Sequence, residues 1–393
     1  MFAIGIRRVG RLFTPRSHIR TNMFRPPREP TDPDSSIRAT DSDAALARLS
    51  AVQKGYLVDP FVRYLVPRAH LQPPRPPLIN VGTYVRTACI DKLVDAWLEN
   101  CAIEGRSGCQ ILSLGAGSDT RFWRLATGPW KDTISKYIEL DFPEITTKKA
   151  MAISKSRELS SVLGTPGEVQ IDKSGTGLRS PKYHLFGIDL RLPPAHALST
   201  LLASPPASDS TVPLLSPDVP TLLLFECVLV YMTPEASAQL VQWFVDYFSY
   251  EDSTSSREPR VLGGIVYEMF GLNDPFGRVM VNNLKARNVS LPGAEPYPTM
   301  ESLPQRFLQH GFRASHALSL RELRASHLGT TELERISKLE MLDEIEELEL
   351  VLEHYAITWG AWIDGTGETK ADWAGWGLNQ AVEAQPVDSD TSE

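Results

Sequence analysis

Between residues 41 and 103 the apolar positions recur at helical spacing. Ala44, Ala45, Leu46, Leu49, Val52, Tyr56 and Leu57 predict a helix within 41–66, followed by a turn at Asp59-Pro60. Val85, Ile90, Leu93, Val94, Trp97 and Leu98 predict a second over 81–103, after a linker dense in proline (Pro73, Pro74, Pro76, Pro77). The pattern then changes to short apolar runs that stop at a glycine or an acid. Residues 110–115, 137–141, 184–189, 221–226 and 261–267 each read as a buried strand. Helical stretches lie between them, such as 234–249 with Ala236, Leu240, Phe244 and Phe248. Strands alternating with helices predict an α/β domain whose mainly parallel sheet is covered on both faces.

Near the C-terminus, Leu333, Ile336, Leu339, Leu342, Ile345, Leu348, Leu352 and Tyr355 predict one long helix over 331–358. Its other face is glutamate-rich and reads as solvated, with docking of a basic partner as the alternative. Three stretches, 164–182, 203–220 and 250–259, read as loose inserts that decorate one domain. No internal repeat is visible. The longest apolar run, Leu222 to Met232, contains Glu226 and is too short to cross a bilayer, so no membrane partner is expected.

Charge changes the picture at the N-terminus. Residues 1–28 hold seven arginines and no acid, so the net −8 of the 393 residues divides into a +7 leader and a −15 remainder. Such a leader has the composition of a mitochondrial transit peptide, but Pro15, Pro26 and Pro27 would interrupt its helix. Residues 1–40 therefore read as a disordered basic leader, and 379–393 as a disordered tail. The acidic balance argues against a nucleic-acid partner. Four cysteines without a CxxC pair read as buried thiols in a reducing compartment, which suits a cytoplasmic, and also nuclear, protein.

The chemistry collects at the carboxyl ends of the strands, where doubly wound sheets bind ligands. The first strand ends in Gly115-Ala116-Gly117, the second in Asp141, the third in Asp189 and the fourth in Glu226. Glycines admit a ligand close to the backbone, and an acid 26 residues after the first glycine suits ribose hydroxyls. The third glycine of the dinucleotide fingerprint is missing, and no P-loop appears. Several carboxylates around one crevice favour a cationic nucleoside, and S-adenosylmethionine, a sulfonium, fits best. Arg86, at the start of the helix before the first strand, offers a fork for a carboxylate of cofactor or substrate. No histidine or metal constellation stands out.

Seven stretches, in order, resemble the leucine carboxyl methyltransferases. They are Gly55-Tyr-Leu-Val-Asp-Pro-Phe61, Asn80-Val-Gly-Thr-Tyr-Val-Arg86, Leu114-Gly-Ala-Gly-Ser-Asp-Thr-Arg-Phe-Trp-Arg-Leu125, Glu139-Leu-Asp-Phe-Pro143, Asp189-Leu-Arg191, Glu226-Cys-Val-Leu-Val-Tyr-Met-Thr-Pro234 and Tyr267-Glu-Met-Phe-Gly-Leu-Asn-Asp-Pro-Phe-Gly277. The resemblance covers roughly residues 41–360. It implies a Rossmann-like class I S-adenosylmethionine-dependent methyltransferase with helical lid additions, acting on the C-terminal leucine of the protein phosphatase 2A catalytic subunit. A single domain over 41–378 is then expected: a lid at 41–103, a cofactor core at 108–270, and substrate, lid and C-terminal elements at 271–378.

The resemblance also implies roles. Arg86 would contact the cofactor carboxylate near the substrate, Gly115 would pack on the cofactor, and Asp141 would hold the ribose. Asp189 and Leu190 would frame the adenine, Glu226 would sit by the methionine part, and Tyr231 would face the substrate. Arg48 takes the place of a basic residue near the cofactor carboxylate. Family behaviour implies a monomer.

A C-terminal carboxylate is already ionised at neutral pH, so a direct displacement on the sulfonium methyl needs no general base. Three alternatives stand beside this reading. A tRNA wybutosine-type relative would carry kelch repeats of about 50 residues, and none is visible. A small-molecule carboxyl methyltransferase would share the scaffold. A non-catalytic cofactor-binding module would lack Arg86 or Tyr231, and both are present.

Overall fold

The computed structural model describes residues 32, 34–105, 108–203, 213–250, 258–365 and 369–378. Nine strands form one sheet: β1 Cys109–Leu114, β2 Ile134–Asp141, β3 Gln170–Ile171, β4 Leu178–Arg179, β5 Tyr183–Gly187, β6 Thr221–Glu226, β7 Val261–Met269, β8 Ala314–Ser319 and β9 Tyr355–Ile363. Their order is β3-β4-β5-β2-β1-β6-β7-β9-β8. The five strands read from the sequence form the parallel centre, β5-β2-β1-β6-β7. From β1 the chain proceeds first to one side and then to the other, which makes the β1 end a topological switch point. β1, β7 and β9 are buried along their whole length, because helices cover both faces.

Helix Pro77–Glu104 packs across one face. Proline in its first turn needs no donor there, and Gly105 ends it in the left-handed region at φ 71°. Its Trp97 is fully buried against Trp373 and Trp376, with ring centroids 4.6 and 4.9 Å away. The same helix sends Thr83, Arg86 and Thr87 toward the strand ends.

Three expectations need correction. The first helix runs Ser35–Gln53, so the domain begins before residue 41. Its first turns are rich in Ser, Arg and Asp and carry little apolar signal, but Asp34 and Asp41 are held by partners elsewhere in the fold. The long helix over 331–358 is instead two short helices, Thr330–Ser337 and Ile345–Glu353, followed by β9. The run breaks after Ser337, and Glu340 in the break is held by Lys54 and Asn80 at 3.0 and 2.7 Å. Antiparallel pairing to β7 then takes Tyr355 onward into the sheet. The insert 164–182 contains β3 and β4, an antiparallel edge to β5. Residues 1–31 of the leader, 204–212 and 251–257 of the other inserts, and the tail at 379–393 lie outside the described residues.

The glutamates of 332–353 are partly spent on internal pairs. Glu332 binds Arg335 and Tyr84, and Glu349 and Glu353 bind Arg321 and Arg324. Among the described residues no helix is long and apolar enough to cross a membrane.

Candidate active site

One cavity opens at the carboxyl ends of β1, β2, β5 and β6. All nine residues singled out from the sequence line it: Arg48, Arg86, Gly115, Gly117, Asp141, Asp189, Leu190, Glu226 and Tyr231. They come from different elements, and the switch point brings them together.

The floor is the turn after β1. Gly115 sits at φ 69°, and a Cβ there would collide with Val228 Cγ2. Gly117 sits at φ 51°, and a Cβ there would meet Asp41 Oδ1 at 2.6 Å. Two carboxylates grip this turn from opposite sides. The Gly117 N–H donates to Asp141 Oδ2 at 2.7 Å, and the Ser118 N–H donates to Asp41 Oδ1 at 2.6 Å. Burial pushes the Asp141 carboxyl up to about 7, and the nearby Asp41 charge adds to this. The N–H bonds from Gly117 and Phe142 oppose the rise without cancelling it.

At the other end, Glu226 sits between two arginines. Arg86 donates to its Oε2 through Nε and Nη2 at 2.9 and 2.6 Å, and Arg121 approaches Oε1 at 2.8 Å. Burial raises the Glu226 pKa, but the two guanidiniums outweigh it and leave it below the usual range. Arg121 continues the network to Asp119 and Asp91 at 2.7 and 3.1 Å. Arg48 pairs with the buried Asp59 at 2.5 Å and reaches Thr87 at 3.4 Å. Tyr231 is hydrogen-bonded to Thr40, and burial drives its phenol far up. Cys227, between Glu226 and Tyr231, adopts φ 57°, which re-aims the chain after β6.

Asp189 accepts from the Arg191 side chain through Nε at 2.9 and 3.2 Å and Nη2 at 2.7 Å and from its N–H at 3.0 Å, while Arg191 also grips both oxygens of Asp34. Burial raises the Asp189 pKa, and the Arg191 bonds lower it further than that. Leu190, Ile188, Phe142 and Ile145 supply an apolar wall on this side.

Sequence reasoning missed the contribution of the first helix. Apart from Arg48, which the family resemblance had marked, Ile37, Arg38, Thr40, Asp41, Ala44 and Ala45 all line the cavity. Their spacing of three or four residues was the available signal, but this stripe is half polar and overlaps a stretch whose composition reads as disordered. No group of acids, histidines and cysteines that could hold a metal occurs among the described residues.

Comparisons with known proteins agree on one assignment. Residues 36–245 match the family profile described as Leucine carboxyl methyltransferase. A protein named Leucine carboxyl methyltransferase 1 from Cryptococcus neoformans is 44% identical over 365 residues, covering 85% of this chain and 96% of its own. A protein of the same name from Emericella nidulans is 38% identical, covering 88% of each chain. Its counterpart from Bos taurus is 35% identical, covering 84% of this chain and 91% of its own.

Proposed function

The chain belongs to the leucine carboxyl methyltransferase family, and from that premise we propose that it methylates the α-carboxylate of the C-terminal leucine of the protein phosphatase 2A catalytic subunit. The coarser activity, carboxyl methylation dependent on S-adenosylmethionine, comes with family membership. The observation that supports the site assignment best is the convergence of Arg86, Asp141, Asp189 and Glu226 on one cavity at the switch point.

The residues present fit the cofactor. Gly115 and Gly117 leave a floor without side chains, and the buried Asp141 carboxylate is an acceptor for ribose hydroxyls. Asp189 and Leu190 frame the place of the base, with Phe142 and Ile188 beside them. The Arg86–Glu226 pair offers a cation and an anion side by side, matching the carboxylate and ammonium of a methionine moiety. Arg48 adds positive charge on the carboxylate side. When bound, S-adenosylmethionine supplies a methyl group on a sulfonium.

No residue needs to remove a proton, because the attacking carboxylate is ionised at neutral pH. The work of the chain is alignment and exclusion of water. Arg86 steers the incoming carboxylate by charge, and Tyr231 holds the substrate side of the cavity. The first helix covers the site, so a flexible C-terminal tail can enter where a folded surface cannot.

Comparing phosphatase subunits that end in a free carboxylate and in a carboxamide tests this. The free carboxylate should gain a base-labile methyl ester. Label that resists mild base, or that appears equally on the carboxamide, would overturn the reading.

A further inference from the structure

The first helix is built in two unlike halves. Its buried residues, Ala45, Ala47, Leu49, Ser50 and Ala51, all lie in the second half. That half is fixed from several sides. The Ser50 hydroxyl donates to Asn80 Oδ1 at 2.8 Å, and Arg48 pairs with the buried Asp59. Arg335 binds the Gly55 and Tyr56 carbonyls just beyond the helix, at 2.7 and 3.0 Å.

No residue from 34 to 44 is buried. This half lies across the cofactor cavity instead, held by polar contacts: the Thr40–Tyr231 hydrogen bond, a 3.8 Å Arg38–Glu144 pair and three carboxylate clasps. Asp34 takes both its bonds from Arg191, at 2.8 and 2.6 Å. Asp41 accepts from the Ser118 N–H and hydroxyl at 2.6 and 3.1 Å. Asp43 pairs with Arg287 at 2.6 Å. The clasps land on three separate parts of the fold: the segment after β5, the turn after β1, and the end of helix Pro275–Lys285. Arg191 and Arg287 are 33% and 39% exposed, so water competes for these pairs. An element held by exposed polar contacts opens before one held by packing.

We infer that Asp34, Asp41 and Asp43 are positioning residues of the transferase: they fasten the first half of this helix over the cofactor, whose entry and release wait on their letting go. The inference rests on the S-adenosylmethionine site and not on which protein is methylated. The clasps are made by protein atoms alone, so they need no ligand to form. A group that only touched the bound cofactor would slow dissociation alone. A clasp that forms with and without cofactor slows both directions.

Rate constants for labelled S-adenosylmethionine, measured by rapid filtration on the full chain without any phosphatase, separate these cases. Asp34 lies outside the cavity wall. Asp34→Asn should raise both association and dissociation rates about tenfold, with the single-turnover rate at saturating cofactor unchanged. Asp43→Asn, also off the cavity, should act in the same direction and gives an independent variant. Normal folding of both is checked by thermal melting. Unchanged rates, or faster dissociation alone, would overturn the clasp. Failure of the wild-type chain to bind cofactor would overturn the site and the clasp together.

Discussion

The guanidinium of Arg86 lies 4.3 Å from the centroid of the Tyr267 ring, and that ring stacks on Tyr355 at 5.4 Å with planes 12° apart. The Tyr267 hydroxyl is buried and has no hydrogen-bond partner among the described residues. The ring, and not the hydroxyl, therefore supports the arginine. Tyr267→Phe should leave cofactor affinity close to wild type. Tyr267→Leu removes a desolvated cation–π contact of about 2 kcal/mol and should weaken cofactor binding by more than tenfold. Calorimetric titration of both variants checks this, and equal losses in the two would contradict it.

Asp141 sets a pH dependence. Its folded pKa of about 7 stands above the unfolded value, so between roughly pH 4 and 7 the folded chain binds more protons than the unfolded one. This group's contribution to stability is present at low pH and lost as pH rises through 7. Cofactor binding should run the other way, because ribose hydroxyls donate to the ionised form. Affinity should rise with pH up to about 7 and level off above it, and Asp141→Asn should flatten that profile. Titrations from acid to mildly alkaline pH read both effects.

Gly115→Ala places a methyl group against Val228 and forces a non-glycine residue into the left-handed region. The backbone cost alone is about 1–3 kcal/mol. Adding Val228→Ala should relieve the clash but not the backbone cost, so the double variant should melt between the single variant and wild type. A double variant no better than Gly115→Ala would show that the clash is not felt.

The centre of the sheet was legible because parallel strands buried on both faces leave continuous apolar runs, and β6 falls on the residues the pattern marks. The strand-end residues were legible for the same reason, since a strand that stops at Asp141 or Glu226 presents its acid at the crevice. The antiparallel additions were not. β9 is itself a buried apolar run, but the helical spacing of the leucines before it carries on through Tyr355 and hides its start, and β8 is only partly buried and carries little strand signal. Asp34 lay in the stretch that composition marks as leader, and Asp41 lay at its border with the first predicted helix. Their function depends on Arg191 and Ser118, 157 and 77 residues away, and no local pattern encodes such a contact.

The pairing of Arg86 with Glu226 has a direct consequence. Arg86→Ala leaves Glu226 with Arg121 alone and removes the site's fork for a carboxylate. Losing charge-assisted bonds worth about 1.5–3 kcal/mol should weaken cofactor binding roughly 10–100-fold. Arg86→Lys should recover only part, because an ammonium cannot reproduce the planar two-nitrogen contact. Unchanged affinity in Arg86→Ala, by calorimetry, would reject its role.

The proposed reaction is esterification of a C-terminal leucine carboxylate. The most direct test incubates the chain with methyl-labelled S-adenosylmethionine and purified protein phosphatase 2A catalytic subunit, either intact or lacking its terminal leucine. Label should appear on the intact subunit, with only background on the truncated one. Equal labelling of both, or none on the intact subunit, would contradict it.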